Sequence, residues 1–308
     1  MQPIKEYFIH PSRICLGLIK KCGFLFSDST YLRLYYFFQL GKVLHLRNPK
    51  SFNEKLQWLK IHNRHPEMTI MVDKYAVKEY VAGIIGEDHI IPTIGVWEKP
   101  EEIDWDSLPQ QFVLKTTHGG GSCGVVICRD KEKFDIGLAI SKLSVSMQSD
   151  IYRELREWPY KDVPKRIIAE RYISDGKGNE NERLSSEQEE LRDYKFFCFD
   201  GEVKMFKVDF DRFTNHRANY YTKDSVFIPC GEKDLPPDPQ RTIALPKSIP
   251  QMIKYAECLS KGYPFMRVDF YNCNDAALFG EITFYPASGM GEFIPQEWDL
   301  EIGKWLSL

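Results

Sequence analysis

Phe112-Val113-Leu114-Lys115-Thr116-Thr117-His118-Gly119-Gly120-Gly121-Ser122 is the stretch on which the fold turns. Gln111–Thr117 is β-prone and reads as a strand. The glycines that follow form a loop, and Gly124–Cys128 begins a new strand. A lysine near the end of a strand, beside such a loop, suits a polyphosphate. Glycines let backbone N–H groups approach oxygen atoms closely, and the lysine supplies a point charge. The GxxxxGK[ST] order of a P-loop is absent, and this loop joins two strands. A flexible hairpin is the competing explanation.

Outward from this loop the chain alternates helix and strand. Downstream come a helix over 133–147 and a strand over 166–173. Upstream lie a short strand over 90–96, interrupted by Pro92, and a helix over 72–85 that ends near Gly86. Residues 1–70 have helical apolar spacing. Ser51 stands three before Glu54, the pattern of a capping box. Ser174–Arg192 is polar and glutamate-rich and reads as an exposed or disordered loop. Strands over 193–199 and 203–208 flank Asp200-Gly201, a hairpin signal. A Pro-rich crossing over 231–250, a helix over 252–261 and strands over 265–271 and 277–284 complete the chain. This mixture predicts an α+β or α/β protein.

Three further clusters carry chemistry. Arg267 and Asp269 alternate on one strand and so share a face. Glu281 lies on the next strand and can sit beside Asp269. Two carboxylates on neighbouring strands can hold Mg²⁺ together with phosphate oxygens. A nearby arginine would meet charge that develops in phosphoryl transfer. A surface ion pair explains the same residues equally well. Ile167–Ile173 is an apolar strand running into a polar loop, able to show backbone groups to an adenine edge. Arg212, His216 and Arg217 fall within six positions and could hold carboxylate or phosphate.

The 308 residues carry 41 Lys+Arg against 44 Asp+Glu, a formal charge of −3. That balance disfavours a nucleic-acid coat protein. The length allows about two domains. Eight cysteines form no CxxC pair. Cys128 and Cys198 sit in apolar runs and read as buried thiols, which fits a reducing cytoplasm. Ile14–Phe26 is too short and too charged to span a bilayer. It and Tyr31–Leu46 mix Lys/Arg with apolar and aromatic residues, so peripheral membrane contact stays open beside simple packing on its own domain.

Together these segments resemble the TupA-like ATP-grasp family. The matching stretches are Asn48-Pro-Lys-Ser-Phe-Asn-Glu-Lys-Leu-Gln-Trp-Leu59, Val72-Asp-Lys-Tyr-Ala-Val77, Phe112-Val-Leu-Lys115, Asp193-Tyr-Lys-Phe-Phe-Cys-Phe199, Asp211-Arg-Phe-Thr-Asn-His-Arg217 and Gly280-Glu-Ile-Thr-Phe284. The resemblance implies an ATP-grasp fold of two α+β subdomains clamping ATP: a helical segment over 1–72, a central subdomain over 73–170 and a C-terminal one over 171–308. It implies ATP phosphates on Lys74 and Lys115 under a loop of His118, Gly119, Gly120, Gly121 and Ser122. Adenine would lie on Glu170, Arg171, Tyr172 and Ile173. Asp193 and Lys195 fall where ribose or phosphate contacts are plausible. Mg²⁺ would be held by Asp269, Glu281 and Thr283, the last replacing the Asn common in related ligases. Arg267 and Lys115 would be catalytic, and Arg212, His216 and Arg217 would hold substrate.

The activity implied is a carboxylate–amine ligase acting through an acyl phosphate in the cytoplasm, at or near the inner face of the membrane, in peripheral association with membrane polysaccharide machinery. Its substrates would be an amine and a uronic-acid or glycan carboxylate of a capsule, O-antigen or teichuronopeptide. A kinase of a sugar hydroxyl and a glycosyltransferase or glycan-binding module are the rival expectations.

Overall fold

The structure, a computed structural model, describes residues 11–121, 123–174, 191–212 and 214–308. Ser122 and most of the expected 174–192 loop lie outside these residues. The chain opens with helices α1 (Pro11–Lys21), α2 (Asp28–Leu40), α3 (Phe52–His62), α4 (Glu67–Val72) and α5 (Ala76–Ile85). The expected capping box starts α3. Ser51 accepts from the Glu54 N–H, and the Glu54 carboxylate takes the N–H groups of Lys50 and Ser51. Residues 72–85 read as one helix, but the helix begins only at Ala76. Asp73 Oδ1 accepts from the N–H groups of Tyr75 (2.9 Å) and Ala76 (3.3 Å) and starts α5 afresh. This satisfies donors that a helix start otherwise leaves bare, and it leaves Lys74 in the break between the helices.

Strands β1 (Thr93–Trp97), β2 (Phe112–Thr116), β3 (Val125–Cys128) and β4 (Ile167–Arg171) form an antiparallel sheet in the order β1-β4-β2-β3. Helices α6 (Ile136–Met147) and α7 (Ile151–Leu155) lie between β3 and β4 in the chain, and α6 packs on β2 and β3. The second half supplies β5 (Asp193–Phe199), β6 (Glu202–Phe210), β7 (Arg217–Thr222), β8 (Phe227–Ile228), β9 (Gly231–Glu232), helix α8 (Ile249–Ser260), β10 (Phe265–Cys273), β11 (Ala276–Thr283), β12 (Phe293–Ile294) and helix α9 (Trp298–Trp305). Six of these strands form an antiparallel sheet ordered β11-β10-β5-β6-β7-β8, and β12 pairs β9. Asp200 (φ 50°) and Gly201 (φ 81°) make the tight β5–β6 turn, the left-handed pair such a hairpin needs. β7 and α9 have no counterpart among the expected elements. β7 is buried at four successive residues, Ala218–Tyr221, so it shows no alternation to read.

The larger sheet is packed by Phe196, Phe197, Phe199, Phe206, Phe265 and Phe270, with α8 on one face and residues of α3, α4 and α5 joining the same core. The smaller sheet has its own core of Phe112, Leu114, Cys128, Leu143, Ile167 and Ala169, with Ile103 and Leu108. A third cluster joins α1 and α2. Cys128 and Cys198 are buried thiols, as expected. In the β10–β11 pair, Asp269 faces Glu281 but Phe270 faces Phe279, leaving Gly280 as an extra residue in a bulge. A Cβ on Gly280 would lie 3.0 Å from the Asp269 carbonyl oxygen.

Candidate functional site

Residues of both large sheets line one cleft of about 1430 Å³. On the four-stranded side, β2 and β4 are paired so that Lys115 lies opposite Ile168 and Val113 opposite Glu170. Lys115 and Glu170 therefore share a face, diagonally placed. Lys115 Nζ lies 2.6 Å from one Glu170 oxygen, and Lys78 Nζ lies 2.5 Å from the other. Burial alone would raise the Glu170 carboxyl, but Lys115 and Lys78 more than offset it and hold it below the usual range. Burial would also lower Lys115, yet Glu170, Glu281 and Asp193 keep it raised and charged.

The glycine loop closes between Thr116 and Ser146, whose hydroxyls are 2.8 Å apart. A Cβ at Gly124 would collide with both hydroxyls, so that position needs glycine. Lys74 donates to the Gly119 carbonyl at 2.7 Å and lies 3.4 Å from Glu281, tying the loop to the opposite sheet. Below Lys74, Asp73 pairs with Arg166 at 2.5 Å. His118 is buried and donates through Nε2 to the Ser146 carbonyl (3.2 Å). Burial, then Lys165, pushes its imidazole down, so it stays neutral near pH 7.

On the six-stranded side one arginine gathers the charges. Arg267 reaches both Asp269 oxygens at 2.7 and 2.8 Å, Glu281 at 3.0 Å and the Thr283 hydroxyl at 3.0 Å. Lys195 Nζ bridges Asp269 (2.8 Å) and Asp193 (3.1 Å). Burial would raise Glu281, but Lys74, Arg267, Lys195 and Lys115 hold it well below the usual carboxylate range. Further along, Arg212 bonds Asp193 and lies 3.6 Å from Asp209. His216 Nε2 is 3.5 Å from Asp209 Oδ2. Lys207 pairs with Glu232 at 2.8 Å, and the Tyr220 hydroxyl donates to the same carboxylate.

The cleft thus brings together Lys74, Lys115, Gly120, Gly121, Asp193, Lys195, Arg212, His216, Arg267, Asp269, Glu281 and Thr283. Gly119 and His118 lie behind its wall as loop anchors. Glu170 stands between two lysines, with Arg171, Tyr172 and Ile173 running on from it, exposed or half-buried. Arg217 starts β7 and donates to the Pro237 carbonyl at 3.3 Å, apart from the cleft lining. Several side chains in or beside the cleft were missing from the expected set. Lys78 repeats Lys74 at four residues, a spacing that could have flagged it. Lys207 and Asp209 alternate on β6 and share a face. Glu157, Tyr160 and Tyr285 also line the cleft, and only tertiary packing brings them there.

Two carboxylates and a hydroxyl converging on Arg267 are an all-oxygen donor set, which suits Mg²⁺. Among the described residues no three His, Cys, Asp or Glu side chains form a metal group. Asp269, Glu281 and Thr283 are the oxygen donors available there, each within hydrogen-bond reach of Arg267.

The cleft is thus lined by interleaved cations and carboxylates, with a glycine loop on one antiparallel sheet and the Asp269–Glu281 pair on the other. The chain belongs to the TupA-like ATP-grasp family, whose profile matches residues 54–307. ATP is the nucleotide that ATP-grasp enzymes use. Similar solved structures include D-alanine–D-alanine ligase from Bacillus anthracis, with 17% identity and a TM-score of 0.38 over 70% of this chain and 56% of that one. The same organism's ligase complexed with ATP aligns at 15% identity and a TM-score of 0.40, over 84% and 77% of the two chains. D-alanyl-alanine synthetase A from Vibrio cholerae O1 biovar eltor aligns at 12% identity and a TM-score of 0.45, over 83% and 69%. The chain thus spans little more than half the length of the first of these, 56%. No curated protein matches it in sequence.

Proposed function

We propose that the protein is an ATP-dependent carboxylate–amine ligase that joins an amino acid or other amine to a uronic-acid carboxylate of cell-surface polysaccharide. The observation that carries this reading is the ordering of charge along one cleft. Lys74 and Lys115 stand by the glycine loop, Arg267 with Asp269 and Glu281 at the centre, and Arg212, Asp209 and His216 at the far end. In this reading residues 73–170 and 171–308 are the two halves of the clamp, and residues 1–72 are a helical lead-in.

The chemistry proceeds in two displacements. A substrate carboxylate oxygen bonds to the γ-phosphorus as the bond to ADP breaks. The amine nitrogen then bonds to the acyl carbon, phosphate leaves, and the nitrogen gives up a proton. Lys74 and Lys115 neutralise and orient the polyphosphate. Arg267 holds charge that builds on the transferring group, where preorganised donors act most strongly. Arg212 holds the anionic acceptor. His216, oriented by Asp209, takes the proton from the amine. Mg²⁺ on Asp269, Glu281 and Thr283 would neutralise phosphate charge when bound. The rest of the work is positioning.

The test is a screen of amines against uronic-acid acceptors for amine-dependent ADP release, with mass spectrometry of the product. An amide mass with free phosphate supports the ligase. A phosphorylated acceptor without amine dependence replaces it with a kinase. Purified Asp269→Ala that retains activity removes the metal assignment.

A further inference from the structure

Residues 11–50 stand apart from the rest of the chain in charge and surface. They hold seven Lys or Arg against the single acid Asp28, a formal +6 within a chain of −3, so the remainder carries −9. They also hold six of the eighteen exposed large apolar side chains found among the described residues. Helix α1 is two-faced. Ile19 and Leu16 pack inward on α2, while Ile14 and Leu18, one turn apart, point outward at 41% and 57% exposure. The turn after α1 then holds Phe24 and Leu25 in solvent at 75% and 68% exposure. Lys21, at the end of α1, is also exposed.

The outer face of α2 continues this character. Arg33 and Phe37 lie one turn apart, so they share a side. Arg33 lines a shallow basin of about 660 Å³ with His45, Arg47, Lys50 and Glu54. Glu54 offsets only part of this charge: Arg33, Arg47 and Lys50 against one carboxylate leave the basin at a formal +2. Arg33 donates to the Leu44 carbonyl, next to Val43, which is 62% exposed. The cleft opens elsewhere on α2: Tyr35 and Gln39 line it, about 160° around the helix from Arg33 and Phe37.

Protruding apolar side chains interleaved with cations match one surroundings best, the boundary between anionic headgroups and acyl chains. Among the described residues no helix is long and apolar enough to cross a bilayer. We propose that residues 11–50 dock the protein peripherally on an anionic phospholipid surface. Phe24, Leu25 and Leu18 would enter the headgroup–acyl boundary, and the Arg33–Arg47–Lys50 basin would seat a lipid phosphate. Tyr35 and Gln39 would keep the cleft clear of the bilayer. The proposal does not rest on the ligase reading, since vesicle binding and ADP release are separate measurements.

Co-sedimentation of the full chain with phosphatidylglycerol-rich and with pure phosphatidylcholine vesicles tests it. Binding is expected to the first only and to weaken with salt. Phe24→Ser/Leu25→Ser should weaken binding by about tenfold or more through lost apolar burial. Arg33→Glu/Arg47→Glu should weaken it by at least roughly tenfold and blunt its salt dependence. Both variants should keep wild-type affinity for ATP, showing that the fold and cleft are intact. Equal binding to both vesicle types, no binding at low salt, or variants that bind like wild type would overturn the proposal. So would a dimer that Phe24→Ser/Leu25→Ser converts to monomer, because the patch would then belong to a second copy of the chain.

Discussion

The two large sheets hold the same cleft with unequal means. The six-stranded sheet rests on a dense aromatic core, with Phe196 and Phe206 stacked at 5.2 Å and Phe199 and Phe265 tilted at 60° and 5.1 Å apart between ring centroids. Its cleft face carries Arg267, Asp269, Lys195 and Asp193 in a closed ion network. The four-stranded sheet has a far smaller core and presents Lys115, Glu170 and the glycine loop. A region with few buried apolar contacts opens more readily than one with many. The division teaches where precision is kept: charges that must be placed to fractions of an ångström sit on the heavy sheet. The light sheet carries Lys115, Glu170 and the glycine loop on the smaller core.

The strongest challenge to this comparison is a paired core truncation. Phe197→Ala should cost about 3–5 kcal/mol in global stability, read by denaturant unfolding. Leu114→Ala, by contrast, should show mainly as lost hydrogen-exchange protection in β2, β3 and β4, with β5 and β10 still protected. Equal loss in both sheets would erase the distinction.

Next comes function. Arg267→Ala should lower kcat by roughly 10²–10³-fold. Lys78→Met, which frees Glu170 of the light sheet from one partner, should chiefly raise KM for ATP. A reversed pattern in steady-state ADP release would reassign the roles of the two sheets.

Acid should act on ion pairs of both large sheets: Lys115 with Glu170 on the light one, and Lys207 of the heavy one with Glu232 of β9. Glu170 and Glu232 are held below the ordinary glutamate value of 4.5, because burial, which raises them, is outweighed by Lys115 and Lys78 in one case and Lys207 in the other. Below that value the unfolded chain binds protons before the folded one does. Their stabilisation is therefore complete above 4.5 and is lost as pH falls through the folded values. Burial raises Asp299 and contributes in the opposite sense. Thermal midpoints measured downward from neutral pH should fall once this range is entered. The smallest effect should come from Ser51→Ala, about 1 kcal/mol from the lost cap, visible in the same unfolding curves.

Much of this arrangement was legible in local sequence. The Lys115 strand, the glycine loop, the Asp200-Gly201 turn and the Ser51–Glu54 box each follow from chemistry within a few residues. The break before Ala76 was not read, because the apolar spacing runs across it and only the Asp73 side chain interrupts the helix. β7 escaped because a strand buried on both faces has no alternation. The convergence of Lys78 on Glu170 depends on a contact between a helix and a strand 92 residues apart, which no local pattern encodes. The extra chemistry at Asp209 and Glu232 was hidden for the same reason, since β6 and β9 meet their partners only in the folded chain.

One extra residue in β11 reaches further than its size. Along an uninterrupted strand, odd-numbered positions would all point the same way. Here Ala277 and Phe279 enter the core, yet Glu281 and Thr283 face the cleft. Gly280 in the bulge is where the parity changes. It is a one-residue phase shift that lets a single strand serve as hydrophobic wall in its first half and ligand-facing surface in its second. Pairing Gly280 into the ladder, with no bulge, would put the chain back in step. Glu281 and Thr283 would then be turned toward the core, and every residue of the site would still be present in a sequence that no longer assembles it.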